Sequence, residues 1–410
     1  MGMVVVISLP FILFTILIGF GCFFFGRAKG RQDLKTNPQV FGVPTPPPVF
    51  NVQDFGASPD GKTDSSQAFL KTWNQTCQNN GGGTILIPTG TFLLNTLTFN
   101  GPCKGPIFFN INGLLKAPLG KCKDDYWILF QHIDGLTING EGSLDGQGPS
   151  AWSLYNANGP NPPSSIKFNG MSNALIQGIT SINSKFFHFQ INKSKGVHFQ
   201  NLSITAPDES PNTDGIHIGD SNDIIINRVN ISTGDDCVSI GPGTSNVHIS
   251  EVNCGPGHGI SIGSLGKYQN EGDVNGVIVT NCNIGKTQNG LRIKSWAPSP
   301  PSKVFNVTFD NINMNYVENP IIIDQHYCPH SSCKNEGDSQ VQISDVKFIN
   351  IKGTSASKEG VVLDCSKSVP CQGIELRGLE LTLNGQQTTT ATCSNANMNF
   401  FGPQTPSECT

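Results

Sequence analysis

Short strands of alternating apolar and polar residues recur along most of the chain. From about residue 136 one pattern repeats, in which two apolar–variable–apolar triplets flank a pair of polar or small residues. Alternation with a period of two predicts strands, and the Asn or Gly in the middle of several copies predicts a bend. The copies are VHFQNLSI (197–204), IIINRVNI (224–231), VHISEVNC (247–254), VIVTNCNI (277–284), VTFDNINM (307–314), VKFINIKG (346–353) and IELRGLEL (374–381).

A second series of strands follows this pattern at a nearly constant offset. From Ile224 to Cys237 is 13 residues, and from Val247 to Gly259 is 12. Equal offsets place these strands in one parallel sheet, with neighbouring coils about 4.8 Å apart. Such repeats predict an all-β solenoid, a parallel β-helix, whereas a β-sandwich would need turns at hairpin spacing. The second strands read GIHIG (215–219), CVSIG (237–241), GISIG (259–263), GLRIK (290–294), PIIID (320–324) and GVVLD (360–364).

The N-terminal region departs from this pattern. Residues 3–25 are uncharged and mostly apolar, so we predict a signal peptide or signal anchor over 1–28. A proline-rich linker follows at 29–49, and the folded domain is expected to span 50–410. Asp64, Ser65 and Ser66, followed by QAFLKTWNQTC, predict a capped amphipathic helix that covers the open N-terminal end of the solenoid.

The composition of the chain limits the cellular locations and the classes of binding partner that we expect. The formal net charge is −4 with a pI of about 6.1, and no basic patch of the nucleic-acid-binding kind is present. A polyanion would therefore have to be held by a few local cations. Five glycosylation sequons fit secretion, so we predict an extracellular glycoprotein whose only membrane contact would be an uncleaved N-terminal segment. The sequons begin at Asn74, Asn192, Asn201, Asn230 and Asn306.

Cysteine usage agrees with export. Thirteen cysteines are present, and Cys22 in the apolar run leaves twelve. An even number in an exported chain suggests disulfides, and the spacing of Cys and His does not match a zinc site. The candidate pairs are Cys237/Cys254, Cys328/Cys333, Cys365/Cys371 and Cys393/Cys409.

Chemically active side chains gather on four successive strands of the second series. When these strands are aligned by register, three positions form columns across them: the position before each strand, its third position and its fifth position. The side chains in these columns that point outward lie on one face of the sheet. Asp235 lies one step before this alignment, beside Asp236. The columns contain Asp214, Asp236, His258 and Asn289; then His217, Ser239, Ser261 and Arg292; then Gly219, Gly241, Gly263 and Lys294.

Three carboxylates on neighbouring coils suit acid/base cleavage of a glycosidic bond. Mutual repulsion raises one pKa, which supplies a proton donor, while the other groups orient a water. Spacing alone leaves inversion and retention both open. Arg292 and Lys294 lie two residues apart on one strand, so together they can hold a substrate carboxylate, which favours an acidic sugar.

These residues resemble the signatures of glycoside hydrolase family 28, the polygalacturonases. The matching motifs are NTD (212–214), GDD (234–236), GHG (257–259) and RIK (292–294), within a resemblance that runs from about Phe50 to Cys409. The resemblance implies a right-handed parallel β-helix that hydrolyses α-1,4-galacturonide in pectin with inversion, acts as a monomer in the cell wall and needs no cofactor or metal.

The resemblance also implies a role for each site residue. Asp235 is the general acid, Asp214 and Asp236 activate the water, and His258 supports protonation of the acid. The substrate-binding residues are Arg292, Lys294 and Tyr327, to which shared columns add His217 and Asn289. SLGKYQNEGDV and ITAPDESPNTDGIHIG are similar to the plant pollen-type branch, which favours exo over endo action.

Two rival functions stay open at this point. A calcium-dependent pectate lyase also uses a β-helix, carboxylate clusters and a basic Arg, and carboxylates are good calcium ligands. A non-catalytic solenoid that binds wall polysaccharide is the second rival. Each aspartate alone has a plainer interpretation as a turn residue, but three aligned beside a histidine favour a site.

Overall fold

The folded part of the chain is a parallel β-helix wound around one apolar core. The structure is a computed structural model and describes residues 46–155, 159–329 and 337–409. Contacts group Pro47–Thr410 into one compact unit, and its first strand, Val49–Asn51, begins one residue before the predicted start. The predicted segment 1–28 and nearly all of 29–49 lie outside the described residues. Within the described ranges, no helix has the length and apolar character needed to cross a membrane.

Eleven strands form what we call the site sheet, because the candidate functional residues lie along it. Its strand pairings among the described residues are parallel, and each coil contributes one strand. Its strands are Leu97–Asn100, Tyr126–Gln131, Ser164–Asn169, Phe189–Asn192, Ile216–Gly219, Val238–Ile240, Ile260–Leu265, Asn289–Trp296, Asn319–Tyr327, Glu359–Asp364 and Thr390–Ser394.

The other faces belong to a sheet of twenty-one strands, the long sheet. Its one antiparallel pairing among the described residues joins Glu380–Leu383 to Gln387–Thr388. The strands are Val49–Asn51, Asp60–Asp64, Gly83–Ile87, Thr91–Leu93, Ile107–Ile111, Leu114–Lys116, Leu136–Asn139, Ser143–Asp145, Ser172–Gln177, Thr180–Ile182, Lys195–Thr205, Asn222–Ser232, Ser245–Ser250, Asn253–Cys254, Val274–Gly285, Ser302–Val317, Val341–Ser355, Cys371–Arg377, Glu380–Leu383, Gln387–Thr388 and Ala396–Phe401.

The long strands turn a corner at the middle of the repeated pattern. Asn281 and Asn311 have φ of 56° and 55° there, and Gly378 has 63°, as the sequence predicts. This left-handed region is costly for residues other than Gly and Asn. Arg228 and Glu251 adopt it too, at 53° and 54°, so position in the coil overrides local preference at those two corners.

The predicted register is confirmed. Ile216 pairs with Val238, Val238 with Ile260, and Ile260 with Leu291. These apolar side chains are buried, so the alternate positions of the same strands face outward. The core they join contains stacked aromatic rings, among them Phe130 and Phe168 with centroids 5.8 Å apart.

One α-helix, α1 (Ser66–Gln78), precedes the regular coils. It buries Phe69 and Trp73, and the Trp73 ring lies 4.9 Å from that of Phe99. The helix was predicted, but its N-cap differs: Ser65 makes no side-chain capping bond, and Asp64 Oδ1 accepts from Ser66 N at 3.0 Å. That α1 closes the end of the solenoid stays a prediction. Three short 3-10 helices cover Val52–Phe55, Gly148–Ser150 and Trp152–Leu154.

Four disulfides join cysteines that both lie in the described ranges. Three of them, Cys237–Cys254, Cys365–Cys371 and Cys393–Cys409, are the predicted pairs. The fourth, Cys77–Cys103, was not predicted, because its members are 26 residues apart and only the fold of α1 onto the first coils brings them together. The predicted Cys328–Cys333 pair includes a residue outside the described part.

Candidate active site

The acidic residues lie at the entrance of consecutive site-sheet strands. Asp214 is two residues before Ile216–Gly219, Asp236 is two before Val238–Ile240, and His258 is two before Ile260–Leu265. Because the strands are parallel and in register, these entrances share one edge of the sheet. Backbone bonds link them: Gly215 N donates to Asp236 O at 3.0 Å.

Glycines in the motifs allow the coils to approach at this edge. A Cβ on Gly234 would lie 2.0 Å from the carbonyl oxygen of Ser210, so a larger residue would push the coils apart. Gly257 has a φ of 138°, and a Cβ there would lie 2.6 Å from the carbonyl oxygen of Asp235. The glycines of GDD and GHG therefore set the spacing of the acidic residues.

Asp236 is buried and surrounded by donors. Its Oδ1 accepts from Ser261 Oγ at 2.7 Å and from Arg292 Nη2 at 2.8 Å, and its Oδ2 accepts from Lys294 Nζ at 2.8 Å. Burial alone would raise the pKa of Asp236, but Lys294 and Arg292 outweigh it and hold that pKa at about 2. Asp236 is therefore an anion at pH values well above 2.

Asp214 has the opposite electrostatic environment. Its carboxyl is 5% exposed, and its Oδ2 accepts from Ser239 Oγ at 2.6 Å. Burial, reinforced by repulsion from Asp235 and Asp236, raises the pKa of Asp214 well above its ordinary value of 3.8. A raised carboxyl pKa is thus found, but mainly through burial and on Asp214, which the family resemblance assigns to water activation and not to proton donation.

Asp235 is the most accessible of the three carboxylates. Its side chain is 17% exposed, against 2% for that of Asp236. His258 Nδ1 lies 2.9 Å from Asp235 Oδ1, and Asn212 Nδ2 donates to Oδ2 at 3.3 Å. The structure therefore brings His258 onto Asp235, the pairing that a role in the protonation of that carboxyl requires.

His217 reaches the acids through a serine. Its Nδ1 lies 2.8 Å from Ser239 Oγ, the hydroxyl that donates to Asp214. A serine hydroxyl has one hydrogen, so when Ser239 donates it to an ionised Asp214, His217 Nδ1 is the donor to Ser239. The His217 ring also stacks on Phe187, with centroids 4.4 Å apart. Burial lowers the pKa of His217 to about 4, which keeps the ring neutral near pH 6.

Arg292 and Lys294 lie inside the site rather than at its outer end. Arg292 Nε donates to Ser261 Oγ at 3.0 Å, and both cations contact Asp236. Register places Asp324 beside Lys294, but the ammonium group bonds to Asp236. The contact of both cations with Asp236 was not predicted, and their role in substrate binding stays a prediction.

The last two predicted binding residues differ in their surroundings. Tyr327 is half-buried, and its ring centroid lies 5.1 Å from Lys294 Nζ. Asn289 is 3% exposed, and its amide contacts Gln288 Oε1 and Asn319 Nδ2, each at 3.4 Å. Tyr327 thus joins the cluster, whereas the described contacts of Asn289 are to neighbouring amides. A binding role for Asn289 stays a prediction without contact support.

Four residues with contacts to the site were not assigned a role from the sequence. Ser239 and Ser261 stand in the correct column, and Asn212 begins the NTD motif, so the sequence did mark their positions. Their roles could not be predicted, because column position does not show which hydroxyl faces which carboxylate. Phe187 carries no comparable signal in the sequence.

The donor set fits proton transfer better than metal binding. Asp236 already faces an ammonium and a guanidinium group, and these would repel a divalent cation. No group of three or more His, Cys, Asp or Glu in the described ranges is arranged to hold a metal ion. One buried anion, one carboxyl with a raised pKa and one accessible carboxyl beside a histidine can hold a water and supply a proton.

The sequence and fold were compared with known proteins. Residues 77–406 match Glycosyl hydrolases family 28, and residues 49–99 match a rhamnogalacturonase A/epimerase, pectate lyase-like family. The chain is 45% identical over 373 residues to an exopolygalacturonase of Platanus acerifolia, covering 89% of this chain and 98% of the relative. It is 44% identical over 387 residues to an exopolygalacturonase of Arabidopsis thaliana, covering 91% and 89%.

Solved structures agree on the fold. The polygalacturonase from Erwinia carotovora superposes with a TM-score of 0.68 at 24% identity, covering 89% of this chain and all of that one. An exopolygalacturonase from Thermotoga maritima gives 0.68 at 20%, covering 87% and 93%. At these identities the likeness shows the fold alone, a right-handed parallel β-helix, as predicted.

Proposed function

Because this chain belongs to glycosyl hydrolase family 28, we propose that it hydrolyses α-1,4 bonds between galacturonic acid residues of pectin or polygalacturonan from the end of the polymer. The observation that carries the proposal is the contrast between two buried carboxyls: Asp236 held anionic by two cations, and Asp214 with a raised pKa. Similarity to relatives named exopolygalacturonase supports exo action.

Asp235 is the proposed general acid. It is the accessible member of the three, so it can reach the glycosidic oxygen, and His258 Nδ1 lies within hydrogen-bond distance of it. A proton on Asp235 passes to the leaving oxygen as the bond to the anomeric carbon breaks. His258 is a positioning residue here, since it acts through the carboxyl.

Asp214 and Asp236 are the proposed pair that activates water. Three donors occupy Asp236, whose two oxygens offer about four acceptor sites, so capacity remains for one more bond. Asp214 is the stronger base of the two once ionised, because its raised pKa means a higher proton affinity. Asp236 orients the water, and Asp214 takes its proton. Attack on the face opposite Asp235 would invert the anomeric centre.

Arg292 and Lys294 are proposed to serve the substrate as well as Asp236. The two cations exceed the one carboxylate they contact by one positive charge, which can attract a galacturonate carboxylate. Tyr327, beside Lys294, adds an aromatic surface at the same place. His217 contributes through Ser239, which its Nδ1 contacts.

Product profiling on polygalacturonate tests this function. We expect galacturonate monomer from the first time point, and ¹H NMR should show the anomer opposite in configuration to the bond that is cut. A spread of oligomers at early times would contradict exo action. Unsaturated products that absorb in the ultraviolet, with activity lost to a chelator, would favour the lyase instead.

A substrate with a good leaving group tests the division of labour. An aryl galacturonide needs little acid assistance, so Asp235→Asn should keep much of the wild-type rate on it while losing the rate on polygalacturonate. Asp214→Asn should lose both, because water activation is still required. The reverse pattern would exchange the two roles. Polymer binding by an inactive wild type would instead support the non-catalytic solenoid.

We also propose that the protein is a secreted, monomeric glycoprotein of the cell wall. The three confirmed disulfide pairs and the plant relatives support this setting. Among the sequon asparagines, Asn74, Asn201, Asn230 and Asn306 are exposed and Asn192 is half-buried. Fractionation of tagged protein, with glycosidase treatment and light scattering, tests these points. An intracellular, unglycosylated chain would contradict them.

A further inference from the structure

A line of alternating cations and aromatic rings leads away from the catalytic carboxylates. Lys294 bonds to Asp236, and its Nζ lies 5.1 Å from the ring centroid of Tyr327. Tyr327 meets Trp296 edge to face, with centroids 5.6 Å apart. Lys267 Nζ lies 5.3 Å from the Trp296 ring. Contacts are continuous along this line, so Lys267 is joined to the reaction site through two rings.

The loop that carries Lys267 is held in place by an acid. Glu271 accepts from the backbone N–H groups of Gly266 at 2.6 Å, Lys267 at 3.0 Å and Tyr268 at 2.8 Å. Both of its carboxylate oxygens are used in this way. The loop begins beside the strand of the two cations, since Leu265 pairs with Ser295. Lys267 is therefore positioned in advance of any ligand.

Lys267 itself faces solvent with no carboxylate partner in the described ranges, where every ion pair involves other residues. Its ammonium group lies 5.5 Å from the ring of Tyr268, which is 65% exposed. An accessible cation between two rings suits a ligand that combines a carboxylate with an apolar ring face. A galacturonate unit has both features.

We propose that Lys267, with Trp296 and Tyr268, forms a further subsite for a galacturonate unit beyond the one that Arg292 and Lys294 serve. This inference rests on the proposed function, because it assigns a second carboxylate of the same acidic polymer. The subsite would explain how an enzyme with few cations holds a polyanion: it places single cations at intervals along the chain instead of in one basic patch.

Kinetics with oligomers of defined length test the subsite. Lys267→Gln should raise KM for trigalacturonate and longer substrates about tenfold, with kcat little changed. Digalacturonate, which fills only the two units at the cut bond, should be cleaved equally well by wild type and variant. Trigalacturonate that is methyl-esterified only on the unit beyond the two at the cut bond has no charge for Lys267 to bind, so the difference between the two proteins should vanish with it. Lys303→Gln, an exposed lysine on the long sheet, is the matched control.

The outcomes separate the subsite from the function it rests on. If wild type cleaves trigalacturonate and Lys267→Gln does so with the same KM, the subsite proposal is overturned and the hydrolase proposal stands. An equal loss on digalacturonate or on the methyl ester would also overturn it, because the effect would not depend on a distant charge. If wild type and Lys303→Gln both fail to cleave any galacturonan, the proposed function fails, and the subsite with it.

Discussion

Lys294 Nζ lies 2.8 Å from Asp236 Oδ2, although the strand that follows Asp236 and the strand of Lys294 are separated by a third strand. The ion pair therefore spans a whole intervening coil. Both side chains are buried, so the pair is shielded from salt and from water. It helps to hold the pKa of Asp236 low, and under the proposed function it leaves one positive charge available to an acidic sugar.

Lys294→Met should damage both catalysis and binding. It removes one of the two cations that lower the pKa of Asp236 and one attraction for the substrate. We expect kcat/KM on polygalacturonate to fall by about 100-fold or more, with kcat and KM both affected. Steady-state kinetics with Lys303→Met as control measure this. A rise in KM with an unchanged kcat would mean that the lysine serves the substrate alone.

Asp214→Asn and Asp236→Asn should change stability in opposite directions. The folded protein holds the Asp214 proton more tightly than the unfolded chain does, so ionising that group destabilises the fold as pH rises above 3.8. Asp214→Asn should therefore raise Tm relative to wild type at pH 7, and the gain should shrink as pH falls toward 3.8. Thermal melts across this range check it.

The contribution of Asp236 to stability has the opposite pH dependence, because its pKa of about 2 in the folded protein lies below its pKa in the unfolded chain. Its stabilisation is present above pH 3.8 and is lost as pH falls through about 2. Asp236→Asn leaves Arg292 and Lys294 without their partner, so we expect a loss of about 3–5 kcal/mol in the free energy of unfolding. Equal Tm changes in the two variants would contradict the assigned charge states.

Ser239→Ala should shift the pH dependence of activity, whereas Ser261→Ala should not. The hydrogen bond from Ser239 lowers the pKa of Asp214, so its loss raises that pKa further and moves the acidic limb of kcat/KM to higher pH. Ser261 acts on Asp236, whose pKa of about 2 lies below the limb. Profiles of both variants test this. Equal shifts would mean that the limb does not report Asp214.

Two disulfides close loops of nearly equal length, so removing each in turn can distinguish an effect on stability from an effect on activity. Cys237–Cys254 closes 17 residues and Cys393–Cys409 closes 16, so replacing either pair by serine should cost about 3 kcal/mol of stability. Cys237 follows Asp236 directly, so only the first pair should also lower kcat below the melting transition. Denaturant unfolding and steady-state kinetics on the same samples measure the stability and the kcat of both variants. A loss of kcat in both variants would point to global loosening.

The periodicity of the sequence predicted the strand pairings of this molecule, but it did not predict the contacts between side chains. Backbone register is set by apolar alternation, so the pairings of Ile216, Val238 and Ile260 followed from offsets alone. A column predicts where the Cα atoms lie, but the ammonium group of a lysine lies several ångströms from its Cα. Periodicity therefore could not predict the contact of Lys294 with Asp236. Cys77–Cys103 was missed for a related reason, because it depends on how a helix lies against strands.

The cross-coil position of Asp236 has a consequence for how the protein is made. The carboxylate emerges from the ribosome 58 residues before the lysine that neutralises it, as the separation of their numbers shows. Until the coil of Arg292 and Lys294 has stacked, an ionised Asp236 lacks the two cations that it contacts in the complete fold. The two cations that lower the pKa of Asp236 in the complete fold are therefore absent from a partly wound chain. Under the proposed mechanism, a chain that ends before this coil lacks both counter-charges and is expected to have no hydrolytic activity.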